Sequence, residues 1–134
     1  GLDVDAAGNH KFLGYIISIG GLRLYHSGDC VPYAGLERQL AHQQIDVAFL
    51  PINGRDAYRL SRGVPGNFTL EEAISLCHGA GIGYLVGHHW GLFDFNTIDP
   101  DLAAAILRRD SGALNWLLPE VGVTYTMRAG LPAR

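Results

Sequence analysis

The chain has little with which to hold a polyanion. Its 10 Lys and Arg are outnumbered by 13 Asp and Glu, and the formal net charge is -3. A nucleic-acid surface shows a basic stripe, and no run of Lys or Arg occurs here, so no nucleic-acid partner is expected. Cysteine is scarce too: Cys30 and Cys77 are the only two. They form no disulfide framework, and a reducing, cytoplasmic setting is the expectation. No apolar run approaches the ~20 residues that cross a bilayer, and no signal peptide is read, so no membrane partner is expected either. Methionine is nearly absent. The chain opens at Gly1 and its single Met is Met127, which suggests a processed, engineered or cut N-terminus.

What is present describes a globular domain. Hydrophobic residues make up 48% and charged residues 17% of 134, enough for one domain, 1–134, with a real core. The 18 glycines suggest tight turns and close backbone approaches.

Phe12 to Ile19 is rich in β-formers, Gly20-Gly21 is a hairpin signal, and Leu22 to Tyr25 reads as the returning strand. Leu36 and Leu40 mark a short helix ending near Gln43-Gln44. Ile45 to Leu50 is a strand apolar on both faces, closed by Pro51, which suits a sheet covered on two sides. Asn53 to Asn67 is a long polar loop, a length often associated with function. Thr69-Leu70-Glu71-Glu72 is a capping box, and Leu70, Ala73, Ile74 and Cys77 follow on one helical face. Gly79 and Gly81 end that helix, and Ile82 to Val86 is the next strand. Asp99-Pro100 starts another helix. Val121 to Met127 reads as a last strand, and the tail from Ala129 as frayed. The order is that of an α/β layered domain.

Two motifs carry chemistry. Tyr25-His26-Ser27-Gly28-Asp29 and Gly87-His88-His89-Trp90 each follow a strand, and open α/β sheets bind ligands at strand ends. Asp29 could hold a divalent cation; from spacing alone, a loop-capping carboxylate is the better reading. His88 and His89 point to opposite faces if the strand stays extended. One would then be a ligand and the other a buried hydrogen-bonding residue. His26 reads equally as a core histidine or as a group orienting Asp29. An Asp and a His on one ion would converge to within roughly 3–5 Å. Cys30 has no base beside it and reads as a packed residue. Ser27 lacks a G-x-S-x-G context, so no catalytic nucleophile is named. In the polar loop, Asn53, Arg55, Asp56 and Arg62 are candidates for an anionic substrate group. For any single Arg, an internal ion pair is the plainer reading.

Gly14-Tyr15, Gly20-Gly21, Tyr25-His26-Ser27-Gly28-Asp29, Asp46 to Pro51 and Gly87-His88-His89 together resemble the metallo-β-lactamase superfamily. The nearest branch is the L-ascorbate-6-phosphate lactonase-like group. The resemblance covers nearly the whole chain but corresponds to the C-terminal half of that fold. It implies half of an αββα sandwich: a mixed sheet with helices on one face. It also implies that Asp29 is a bridging metal ligand and His89 the last His ligand; His26 and His88 would then be the supporting histidines of the residue reading above. The family's H-x-H-x-D-H motif is absent from this sequence, and His10 is a poor substitute for the middle His ligand. The implied activity is hydrolysis of a small anionic ester or lactone with zinc or manganese. The isolated chain is expected to be inactive, its metal partial or absent. The alternative is a non-catalytic dimeric scaffold or binding module. A bare sheet face would be covered by a second copy or by a missing N-terminal half.

Overall fold

The computed structural model describes residues 3–130; the end of the tail expected to fray, residues 131–134, lies outside them. One five-stranded sheet forms the frame, in the order β1 (Tyr15–Ile19), β2 (Leu22–His26), β3 (Val47–Pro51), β4 (Tyr84–His88), β5 (Asn115–Leu117). β1 and β2 are antiparallel, and β2 to β5 are parallel. Gly20 and Gly21 both hold positive φ, 57° and 79°, as a two-residue turn matching strand twist requires.

Four helices connect the strands: α1 (Leu36–Gln43), α2 (Ala57–Ser61), α3 (Leu70–Ala80) and α4 (Pro100–Asp110). α3 begins as its sequence dictates. Thr69 Oγ1 accepts from the Glu72 N–H, and Glu72 Oε2 accepts from the Thr69 N–H. Gly81 closes it in the left-handed conformation. Asp99 caps α4, with Pro100 at the first turn. The polar loop contains α2, which was not expected; Asp56 caps it by accepting from the Arg59 N–H.

Strand pairing sets two faces. The row Tyr25, Ala48, Leu85, Trp116 looks toward the helices and joins Leu36, Leu40, Ala73, Cys77 and Leu107 in the core. α3 lies against β3 and β4, with α1 and α4 packed on it. The rows Ile17, Leu24, Val47, Tyr84 and Tyr15, His26, Phe49, Val86 face the other way. Val47 and Val86 are nonetheless buried. The chain beyond β5 returns to the starts of the strands, where Gly130 lines a cleft with Leu22 and Tyr84. Tyr15, Ile17 and Ile19 on β1 stay exposed.

One strand differs from the sequence reading. Val121 to Met127 forms no strand, and the last one is Asn115–Leu117. Pro119 follows after Leu118 and has no N–H to continue a ladder. Gly122 then turns the chain at φ 81°, leaving Val121 fully exposed. Among the described residues, no helix is long and apolar enough to cross a membrane.

Candidate metal centre

The parallel strands bring their C-terminal ends to one sheet edge, and the two motifs leave β2 and β4 there. β3 lies between them, so Ser27–Asp29 and His88–His89 meet over its end. Ser27 donates its backbone N–H to the Phe49 carbonyl of β3 at 3.2 Å. Gly28 then turns with φ 61°, and Asp29 emerges with its side chain 75% exposed.

His89 is the other half of the pair. Its Nε2 lies 3.3 Å from Asp29 Oδ1. β4 ends at His88, and His89 holds φ 64°, a left-handed conformation uncommon for residues with a β-carbon. The alternation expected of an extended strand therefore does not govern His89: the backbone turn, not the pleat, aims its ring at Asp29.

His26, exposed, and His88, half-buried, stand next to this pair. The Gly28 N–H donates to His26 Nδ1 at 3.0 Å, tying His26 to the turn that presents Asp29. His26 stacks on His88, with ring centroids 4.7 Å apart, and on Phe49. His88 Nε2 is buried and finds no hydrogen-bond partner among the described residues. Burial, and then the neighbouring His26 and His89, push its pKa down to about 4. His88 is thus a neutral ring at neutral pH.

This donor set fits one edge of a divalent-metal site. A carboxylate and an imidazole converge, with further imidazoles behind them, and that is the oxygen and nitrogen chemistry that zinc and manganese accept. It does not close a site. Among the described residues, no group of three or more His, Cys, Asp or Glu is placed to hold a metal. Cys30 does not change this: burial raises its thiol pKa, as befits a packed residue.

The substrate candidates are each engaged within the chain. Arg55 pairs with Glu72 through two 2.6 Å hydrogen bonds and also donates to the Asn67 carbonyl. Asp56 caps α2 and binds Arg59 Nε at 2.6 Å. Arg62 lies over the Tyr58 ring. Asn53 is buried, accepting from Asn67 Nδ2 at 3.0 Å and donating to Asn96 Oδ1 at 2.7 Å. Arg59 Nη1 also donates to Asn96 Oδ1, at 3.0 Å. Asn96, which ties this loop to the segment after His89, was not singled out from sequence. No periodicity or motif marks it.

Residues 4–90 match the family model described as a beta-lactamase superfamily domain, a stretch that includes both Asp29 and His89. A UPF0173 metal-dependent hydrolase of Symbiobacterium thermophilum is 30% identical over 119 residues, covering 85% of this chain and 47% of that protein. The chain therefore spans about half the length of this curated relative. A solved metallo hydrolase from the hyperthermophilic archaeon Ignicoccus hospitalis superposes with a TM-score of 0.63 at 23% identity, over 86% of this chain and 46% of that one. At that identity the likeness speaks for the fold alone. The family match takes in well over half of the 134 residues. The chain belongs to the metallo-β-lactamase superfamily.

Proposed function

We propose that this chain is the C-terminal half of a metal-dependent hydrolase acting on an ester or lactone, with Asp29 and His89 as two ligands of its metal. The observation that carries this is the 3.3 Å approach of Asp29 Oδ1 and His89 Nε2 at the sheet edge. The printed name of the 30% identical relative, a metal-dependent hydrolase, supports it. A bound zinc or manganese ion supplies Lewis-acid polarisation and a water of lowered pKa.

The chain's own residues hold and orient. Asp29 and His89 would grip the ion from two strand ends, and His26 would fix the Asp29 turn through the Gly28 N–H. In the net reaction, the water oxygen bonds to the acyl carbon, the acyl–oxygen bond breaks, and the leaving oxygen takes a proton. An anionic substrate group would meet Arg62, the one guanidinium of the loop with no acidic partner among the described residues. Asn53, Arg55 and Asp56 would shape that loop from within.

Two donors do not make a catalytic site, which usually takes three protein ligands, so the isolated chain is expected to be inactive. A second reading, a dimeric scaffold, is favoured by the exposed Tyr15, Ile17 and Ile19. Elemental analysis of the purified chain, with an esterase assay in manganese and in zinc, separates the two readings from full activity. We expect less than one metal per chain and no turnover above background. Turnover that vanishes in Asp29→Ala would mean that the chain holds a complete shell, and would overturn the half-site reading.

A further inference from the structure

His89 stands in the left-handed region at φ 64°, and a residue with a β-carbon stays there only where its surroundings over-determine it. The sheet does not do this. The last bond from β3 to β4, from the Ile52 N–H to the His88 carbonyl at 3.1 Å, falls one residue earlier. The hold comes from the chain that follows.

Trp90 and Thr97 supply it from two sides. The Trp90 ring packs against the core, and its Nε1–H reaches back three residues to the Gly87 carbonyl at 3.3 Å. Gly87 is a fixed point: it is buried in β4, paired with Leu50 of β3, and a β-carbon there would come within 2.9 Å of Ile52 Cδ1. On the other side, the Gly91 N–H donates to Thr97 Oγ1 at 2.7 Å, and the same hydroxyl donates to the Ile98 carbonyl at 3.2 Å. A hydroxyl can accept one bond and donate the other. Thr97 is anchored independently of His89. Asn96 before it accepts from Asn53 Nδ2 at 2.7 Å and from Arg59 Nη1 at 3.0 Å, and Ile98 after it packs against the core. The turn through His89 is thus closed at Gly87 and again at Gly91.

Resting on the hydrolase reading above, in which His89 is a metal ligand, we infer that Trp90 and Thr97 are positioning residues of the metal centre. Their two hydrogen bonds hold His89 in the left-handed turn that sets its Nε2 against Asp29. Both act through the backbone of His89.

The test uses the full-length protein. Thr97→Val keeps the shape and loses the hydroxyl, Thr97→Ser restores the hydroxyl, and Trp90→Phe keeps an aromatic ring without the N–H. Zinc affinity is read by competition with a chromogenic chelator, and each variant is also crystallised free of metal. We expect a zinc Kd raised roughly 10–100-fold in Thr97→Val and in Trp90→Phe, as loss of a group that orients a ligand does. Thr97→Ser should return the wild-type Kd. In the metal-free valine variant His89 should leave positive φ, and its Nε2 should leave hydrogen-bond reach of Asp29. A merely structural role would lower Tm without moving His89. Unchanged affinity in either variant, no rescue by serine, or His89 still turned onto Asp29 in the metal-free crystals would overturn the inference. If His89→Ala binds zinc as tightly as wild type, the metal reading fails instead, and the metal-free structures still decide whether Trp90 and Thr97 hold the turn.

Discussion

His89 stores backbone strain where it is used. A left-handed residue with a β-carbon costs about 1–2 kcal/mol relative to the right-handed region, and here that conformation turns the imidazole onto Asp29. On this account Asp29→Ala and His89→Ala each abolish tight zinc binding by the full-length protein, measured by competition with a chromogenic chelator. His26→Ala, which releases the Gly28 turn, weakens it roughly 10–100-fold, as loss of an orienting group does. Unchanged affinity in all three would remove them from the centre. Asn96 invites a different measurement. Asn96→Ala leaves Asn53 Nδ2 and Arg59 Nη1 without their shared acceptor, at a cost of about 1–3 kcal/mol, and a lowered Tm checks it. The place of Asp29 in a turn after β2 was legible because Ser-Gly-Asp follows a strand; a metal role was not, and came only with the family resemblance. Asn96 was not, because its partners lie 43 and 37 residues away and nothing local marks it.

At the scale of elements, α3 is the best-specified segment. Its capping box, apolar face and terminal glycine are all local signals, and the helix forms over Leu70–Ala80 as they dictate. Thr69→Ala should cost about 1 kcal/mol. Glu72 adds a pH dependence. The Arg55 guanidinium first, and the Thr69 N–H after it, hold its carboxyl below the ordinary value of 4.5. A depressed carboxylate contributes stability above the unfolded value that is lost as pH falls through the folded one. Thermal melts between pH 6 and pH 3 should therefore show a decline that is shallower in Glu72→Gln; identical slopes would mean that the pair contributes nothing. β5 shows where local reading stops. Val121 to Met127 has strand composition, but Pro119 and Gly122 intervene, and pairing with β4 selects Asn115–Leu117 instead. The short helix in the polar loop was missed for a related reason: its Asp56 cap is clear only once Arg59 closes back on it.

The whole molecule leaves one side of its sheet unevenly covered. Val47 and Val86 are buried on the face away from the helices, but β1 presents Tyr15, Ile17 and Ile19 to solvent. Burying such side chains is worth about 1.5–3 kcal/mol each. The isolated chain should therefore self-associate at micromolar concentration in sedimentation runs, and Ile17→Glu should shift it toward monomer. A stable wild-type monomer would show that β1 needs no cover. The α/β layering was legible from alternation and turn residues, while the mixed sheet with helices on one face was an implication of the family resemblance. The return of the C-terminal segment was not legible, since it brings Gly130 to a cleft shared with Leu22 and Tyr84 far back in the chain.

The central claim is that Asp29 and His89 grip one metal ion from two strand ends. Anomalous diffraction at the zinc edge, from crystals of the full-length protein soaked in zinc, tests it directly. The account predicts a peak about 2.0–2.2 Å from both the Asp29 carboxylate and His89 Nε2. Zinc bound elsewhere, with Asp29 and His89 bonded only to each other, would contradict it.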